Sequence, residues 1–194
     1  MKKLFLLLAL LASLNTLAQT EVFQGFSVWS QRMDLSQYIG KNYRLTMAIR
    51  AEPSGPESAA FGFIRNEYPK MAAQNWTFMD NMNDRPVLSK NWDIYTLEST
   101  VDREAPWLGF GLVGLGNGSF YCDDVRLFIE TANDVWTQIP IGNGDFENET
   151  LDPWGQTSMG VPVKVHGAKA ELSTENPFEG KQCLKVTNKL LIKN

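Results

Sequence analysis

Tyr43, Leu45, Met47 and Ile49 alternate with Arg44, Thr46, Ala48 and Arg50, and the same period of two returns along much of the chain. Side chains on a strand point to opposite faces in turn, so this pattern buries one face of a sheet and wets the other. Pro53-Ser54-Gly55-Pro56 punctuates the end of that strand. Further strands are expected from Glu21 to Ser30, Ala59 to Arg65, Trp92 to Thr100, Trp107 to Leu115 and Phe120 to Glu130. Helical periodicity is almost absent. Short strands at near-regular spacing imply an all-β sandwich, of the jelly-roll kind.

Two strands carry extra information. In Trp107 to Leu115, Leu108, Phe110 and Leu112 alternate with Gly109 and Gly111, so one face packs and the other is bare backbone. Such a face admits a neighbouring sheet or a ligand. In the stretch after Gly116-Asn117-Gly118, strict alternation sets Tyr121, Asp123, Val125 and Leu127 on one face and Phe120, Cys122, Asp124 and Arg126 on the other. Asp123 would then face the core, where a carboxylate must be paired, hydrogen-bonded or bound to a cation.

Between Glu67 and Lys90 the period breaks into a polar and aromatic loop containing Tyr68, Trp76, Asn81 and Arg85. Loops of this length in compact domains often carry function. A short strand at Trp76 to Phe78 competes with a helix near Lys70 to Gln74. Residues 131–140 read as a connector holding Trp136. From Ile141 the sequence turns polar, and Val161 to Val165, Ala168 to Leu172 and Gly180 to Thr187 then read as extended.

Residues 1–18 have the form of a cleaved leader: Lys2 and Lys3, an apolar run from Leu4 to Leu11, and Thr16-Leu17-Ala18. The apolar run is too short to span a bilayer, so a secreted or periplasmic chain beginning at Gln19 is expected, with no membrane span. The sequence has 18 basic and 22 acidic residues, and two of the basic ones lie in the leader. No basic run interleaves with aromatics, which argues against nucleic acid. Cys122 and Cys183 allow either one disulfide or two buried thiols in an exported protein. His166 is the single histidine, no Ser sits in a nucleophile elbow, and Asp123 and Asp124 are neighbours that face opposite sides. An enzyme is therefore not expected. Three glycosylation sequons, at Asn75, Asn117 and Asn148, read as chance matches.

Asn143-Gly144-Asp145-Phe146-Glu147, Trp154 and Gly180-Lys181-Gln182-Cys183-Leu184-Lys185-Val186 together resemble the opening of family 4, 9 and 22-type carbohydrate-binding modules, galactose-binding-like jelly rolls. Asp34 to Ala51, Trp92 to Thr100 and Phe120 to Leu127 resemble the middle and close of the same family. Here the opening follows the close. Either residues 141–192 complete the sandwich of 21–130 in circularly permuted order, or they begin a truncated second module. The stretch from Asp80 to Val125 also resembles accessory domains that precede the catalytic part of secreted bacterial tail-specific serine peptidases, which implies a possible downstream catalytic domain.

The resemblance implies a non-catalytic module that binds polysaccharide or another glycan. The alternative is a structural or interaction domain at the front of a larger secreted hydrolase or peptidase. It also implies a structural calcium ion at Asp123 and Glu147, with Asp145 beside them. Sugar rings present apolar C–H faces and polar rims, so flat aromatics with amide or guanidinium partners are the expected binders. Trp29, Tyr68, Trp76, Asn81, Arg85 and Trp107 are the candidates, while Trp92 and Trp154 match packing positions of the family.

Overall fold

A computed structural model describes residues 22–23, 25–70, 76–156, 168–189 and 191–192. In chain order its strands are β1 (Val22–Phe23), β2 (Phe26–Asp34), β3 (Asn42–Pro53), β4 (Ala59–Glu67), β5 (Trp76–Asp80), β6 (Asp93–Thr100), β7 (Trp107–Leu115), β8 (Gly118–Ala132), β9 (Val135–Ile139), β10 (Gly155–Gln156), β11 (Lys169–Ser173), β12 (Cys183–Asn188) and β13 (Leu191–Ile192). One 3-10 turn, Ser36–Tyr38, bridges β2 and β3. The chain is thus all-β, and two antiparallel sheets pack as a sandwich. One sheet has the order β10-β2-β7-β4-β5, the other β11-β12-β8-β3-β6 with β9 added on β8. Successive strands repeatedly cross from one sheet to the other, as in a jelly roll.

The alternation of β3 holds as expected: Tyr43, Leu45, Met47, Ile49 and Ala51 all enter the core. They meet Leu108, Phe110 and Leu112 of β7 and Ala60 and Ile64 of β4 from the opposite sheet. The Tyr43 hydroxyl is satisfied at this depth, because it donates to Asn66 Oδ1 at 2.7 Å. Gly62 faces inward between the Met47 and Met82 sulfurs, where a Cβ would lie 2.7 and 3.0 Å from them. Only glycine fits this close approach, and its N–H donates to Met82 Sδ at 3.2 Å.

β8 departs from strict alternation. Its register against β3 slips between Thr46 and Ala48, and Asp124 takes a positive φ of 46°. This bulge inserts one residue and reverses the facing upstream of it. Phe120 and Cys122 therefore join Val125, Leu127 and Ile129 in the core. Tyr121 and Asp123 turn to the outer side, the reverse of the expected facing.

β12 pairs antiparallel with β8, Leu184 opposite Cys122 and Val186 opposite Phe120. The tail is thereby part of the same sheet, and Leu184 and Val186 face the core. With Leu184 inward, Cys183 points outward while Cys122 points inward. Cβ vectors on opposite faces cannot be bridged, and both cysteines are free and buried. Burial pushes both thiols up, Cys183 to about 12.

Two segments differ from the expectation. The connector is in part a strand, since β9 pairs with β8 from Leu127 opposite Ile139 onward. Residues 141–150 form turns rather than an opening strand, with Asn143 and Phe146 both at positive φ. Asn143 organises them: its side chain accepts from Asn148 N–H and donates to the Thr150 carbonyl, and its own carbonyl receives the Trp154 indole N–H at 2.9 Å. Trp154 packs against Phe110 and Phe146, at 5.7 and 5.1 Å between ring centroids. It is a core residue, as its family position implied. Val161 to Val165 and His166 lie outside the described residues.

Candidate functional site

The outer face of the five-stranded sheet gathers most of the sequence candidates. Leu108, Phe110 and Leu112 point into the core, so β7 offers Trp107, Gly109, Gly111 and Val113 outward. From β2 the same face carries Phe26, Val28 and Arg32; from β4 it carries Phe61, Phe63, Arg65 and Glu67. Val28, Phe63 and Val113 form a small apolar cluster of their own, with Phe26 and Phe61 packed against it.

At one end lies an apolar groove of about 270 Å³ lined by Phe26, Phe61, Trp76, Met79, Val113 and Leu115, with Asn81 and Asn83 supplying amides. Trp76 reaches this face because β4 and β5 slip register between Asn66 and Glu67, which places Trp76 opposite Glu67. At the other end Trp107 sits opposite both Asp34 and Glu67. Arg32 stacks on Trp107 with its guanidinium carbon 4.0 Å from the ring centroid, and Arg65 stands 5.8 Å from the Trp76 ring. Both arginines converge on Glu67: Arg32 Nε donates to Oε2 at 2.5 Å, and Arg65 Nε donates to Oε1. Gly109 makes room for this, because a Cβ there would lie 2.3 Å from Glu67 Oε1. The bare glycine strip foreseen in β7 is thus the seat of an ionic cluster.

Of the six candidates, Trp76 and Asn81 meet in the groove. Trp107 and the Tyr68 carbonyl meet at the ionic end, the latter accepting from Arg32 Nη2 at 2.7 Å. Trp29 does not join them. It sits opposite Leu112 on the core-facing side of β2 and packs against the main core. Arg85 is also elsewhere, held within its own loop by Asp80 at 2.6 Å and Asp84 at 2.7 Å. Those carboxylates keep its pKa raised. Arg32, Arg65 and Glu67 were missed because nothing in a single strand's pattern says that two arginines and a glutamate from different strands will share a face.

Asp123, Asp145 and Glu147 do line one cleft, of about 720 Å³, together with Asp124, Arg126 and Glu179. Both oxygens of Asp123 and one oxygen of Glu147 already accept backbone N–H groups. Asp123 Oδ2 accepts the N–H groups of Phe178 at 2.9 Å and Glu179 at 3.2 Å, and Oδ1 accepts that of Asp124 at 2.8 Å. Glu147 Oε1 accepts from Lys181 at 2.7 Å and Gln182 at 3.0 Å, which lowers its pKa. Burial pushes Asp123 up to about 6 against the pull of its three N–H donors. A calcium ligand set needs free, converging oxygens. Among the described residues no group of three or more His, Cys, Asp or Glu is placed to hold a metal ion. A calcium ion at Asp123 and Glu147, as the resemblance implies, would share these oxygens with those N–H donors. The tail is also tied to β8 directly, through the N–H bonds above and Val125 N–H to Gly144 O at 2.8 Å.

The outer face of the other sheet serves the same purpose. Arg50, 2% exposed, lies 3.5 Å from the Tyr121 ring centroid and donates to Glu52 Oε1 and to the Glu175 carbonyl. Trp92 packs edge-on against Tyr121 and Phe178, and its indole donates to the Asn176 carbonyl. This clasp holds the 174–179 loop over β8 and leaves Trp92 a packing residue.

No family model matches the chain, and no curated protein matches it. A solved structure described as "CBM4 structure and function" is similar at a TM-score of 0.36 and 20% identity, over 52% of this chain. The match spans about 59% of that structure's length.

Proposed function

We propose that the outer face of the five-stranded sheet is a glycan-binding platform, and that the protein is an exported, non-catalytic carbohydrate-binding module. The observation that carries this reading is the groove itself. Trp76 stands with Phe26, Phe61 and Met79 in an apolar trough edged by the amides of Asn81 and Asn83. A pyranose ring offers an apolar face for the indole and hydroxyls for the amides, so trough and rim match its two surfaces. A second aromatic, Trp107, lies across the strands at the far side of Glu67. With strands about 4.8 Å apart, Trp76 and Trp107 are separated by roughly 10 Å, the span of a short oligosaccharide rather than a single sugar.

Affinity electrophoresis through gels containing polysaccharides tests it. The wild-type protein should be retarded by at least one polymer, and Trp76→Ala should run freely in that gel. Retardation that survives Trp76→Ala would place binding elsewhere. The accessory-domain alternative rests on the sequence resemblance, and a reading frame continuing past Asn194 into a catalytic domain would support it.

A further inference from the structure

The platform reading leaves the ligand class open, and the inference here rests on that reading. The groove is walled by six apolar or aromatic side chains and two amides, and among the described residues no charged side chain lines it. At about 270 Å³ it has room for one substituted ring rather than a row of them. The two amides are held in place by the residue between them. Met82 is fully buried and takes a positive φ of 53°, a conformation that costs energy in a residue with a Cβ. Its thioether is plugged into the core at Gly62, its N–H donates to Asp80 Oδ1 at 2.9 Å, and its carbonyl accepts the Arg85 N–H at 2.9 Å. Arg85 closes the loop on Asp80 Oδ2 at 2.6 Å. Asn81 and Asn83 therefore stand on a fixed turn, and among the described residues neither side-chain amide has a hydrogen-bond partner.

An unspent amide on a rigid rim presents a carbonyl acceptor and an NH₂ donor at a fixed place. A plain hexose carries hydroxyls around its whole edge, and the apolar walls leave those on the buried side unpaired. A carboxylate or an ammonium would meet no opposite charge in the groove. An acetamido substituent matches on each count. It is a trans secondary amide, so its N–H and its carbonyl point in opposite directions and call for two separate partners, one accepting and one donating. Its methyl group is apolar, and the lining that hydroxyls leave unmatched takes it out of water. The ring that carries it keeps its apolar face for Trp76.

We propose that the groove reads an N-acetylated amino sugar, with its ring on Trp76 and its acetamido group bonded by Asn81 and Asn83. Chitotetraose and cellotetraose provide the test, because they share ring, linkage and length and differ in the acetamido group. Isothermal titration on the wild type should give roughly tenfold tighter binding of chitotetraose, from the added amide bonds and the buried methyl. In the double variant Asn81→Ala/Asn83→Ala the two affinities should come within about threefold, and Trp76→Ala should lose both. If the double variant does not fold, the ratio on the wild type still decides. A tetramer with lactyl ethers on alternate rings, as in bacterial wall strands, separates the two sources of the acetamido group. Both acetamido tetramers binding above cellotetraose would support the assignment, and the tighter of them identifies the source. Cellotetraose binding as tightly as chitotetraose, with both lost in Trp76→Ala, would overturn the acetamido assignment and leave the platform standing. So would a protein that a polysaccharide gel retards but that binds none of the tetramers. No binding of any tetramer, together with free passage through every polysaccharide gel, would overturn both.

Discussion

Substituting Asp123 by Asn tests the assignment of this residue as a clamp for backbone N–H groups. Asp123 is 1% exposed and its pKa is pushed up to about 6 from an ordinary 3.8. A carboxyl whose pKa is higher in the folded state binds its proton more tightly there. Its contribution to stability is then fully present below pH 3.8 and is lost as pH rises through about 6. The difference of about 2 pKa units corresponds to roughly 3 kcal/mol. Asn at this position does not titrate. Urea unfolding of both proteins between pH 4 and pH 7.5 therefore isolates the residue, since all other groups cancel in the difference. The wild type should lose about 2 kcal/mol relative to Asp123→Asn across that interval, since the unfolded carboxyl is already more than half ionised at pH 4, and calcium or a chelator should leave the difference unchanged. A cation ligand would behave in the opposite way, because a bound cation depresses a carboxylate pKa and adds stability as pH rises. A calcium-dependent shift would refute the clamp, and a difference that grows with pH in favour of the wild type would refute the claim that burial outweighs the three N–H donors.

Glu67→Gln removes the shared carboxylate between two arginines and leaves Arg65 buried without a counter-charge. A loss of about 3–5 kcal/mol in chemical denaturation is expected, with a value under about 1 kcal/mol arguing against the triad. Gly109→Ala would put a methyl group 2.3 Å from Glu67 Oε1, and the forced displacement should cost about 1–3 kcal/mol. Trp154→Phe keeps a ring against Phe110 and Phe146 but removes the indole bond to the Asn143 carbonyl, which retains the Phe146 N–H at 3.3 Å, and should cost about 1 kcal/mol. Both thiols should resist an aromatic disulfide reagent in the native state and react on unfolding, with no change in Tm on adding reductant; a reductant-sensitive Tm would contradict the opposed facing of Cys122 and Cys183.

The strands were legible where a single element's own pattern decides the outcome. Tyr43 to Ala51 alternates without interruption, and its odd-numbered residues fill the core. The Gly109 and Gly111 pair announced a face on which something else would sit. Legibility failed where a local backbone event changes the phase. One residue in the left-handed region, Asp124, turns Asp123 and Tyr121 outward, and no composition rule marks it in advance. The same limit applies at Asn143 and Phe146, whose positive φ values convert a strand-like motif into turns. For the site, aromatics in the long loop were found by type, yet whether each one meets the groove depended on pairing. The slip opposite Trp76 brings that indole to the outer face, while simple parity keeps Trp29 on the core side.

The most direct test of the platform is a titration of ¹⁵N-labelled protein with an oligosaccharide of whichever polymer retards it in a gel. The account predicts that the indole N–H of Trp76 and the amides of Asn81 and Asn83 shift with ligand, while the indoles of Trp92 and Trp154 stay in place. Shifts confined to the Trp92 and Tyr121 clasp or to the cleft at Asp145 would contradict it.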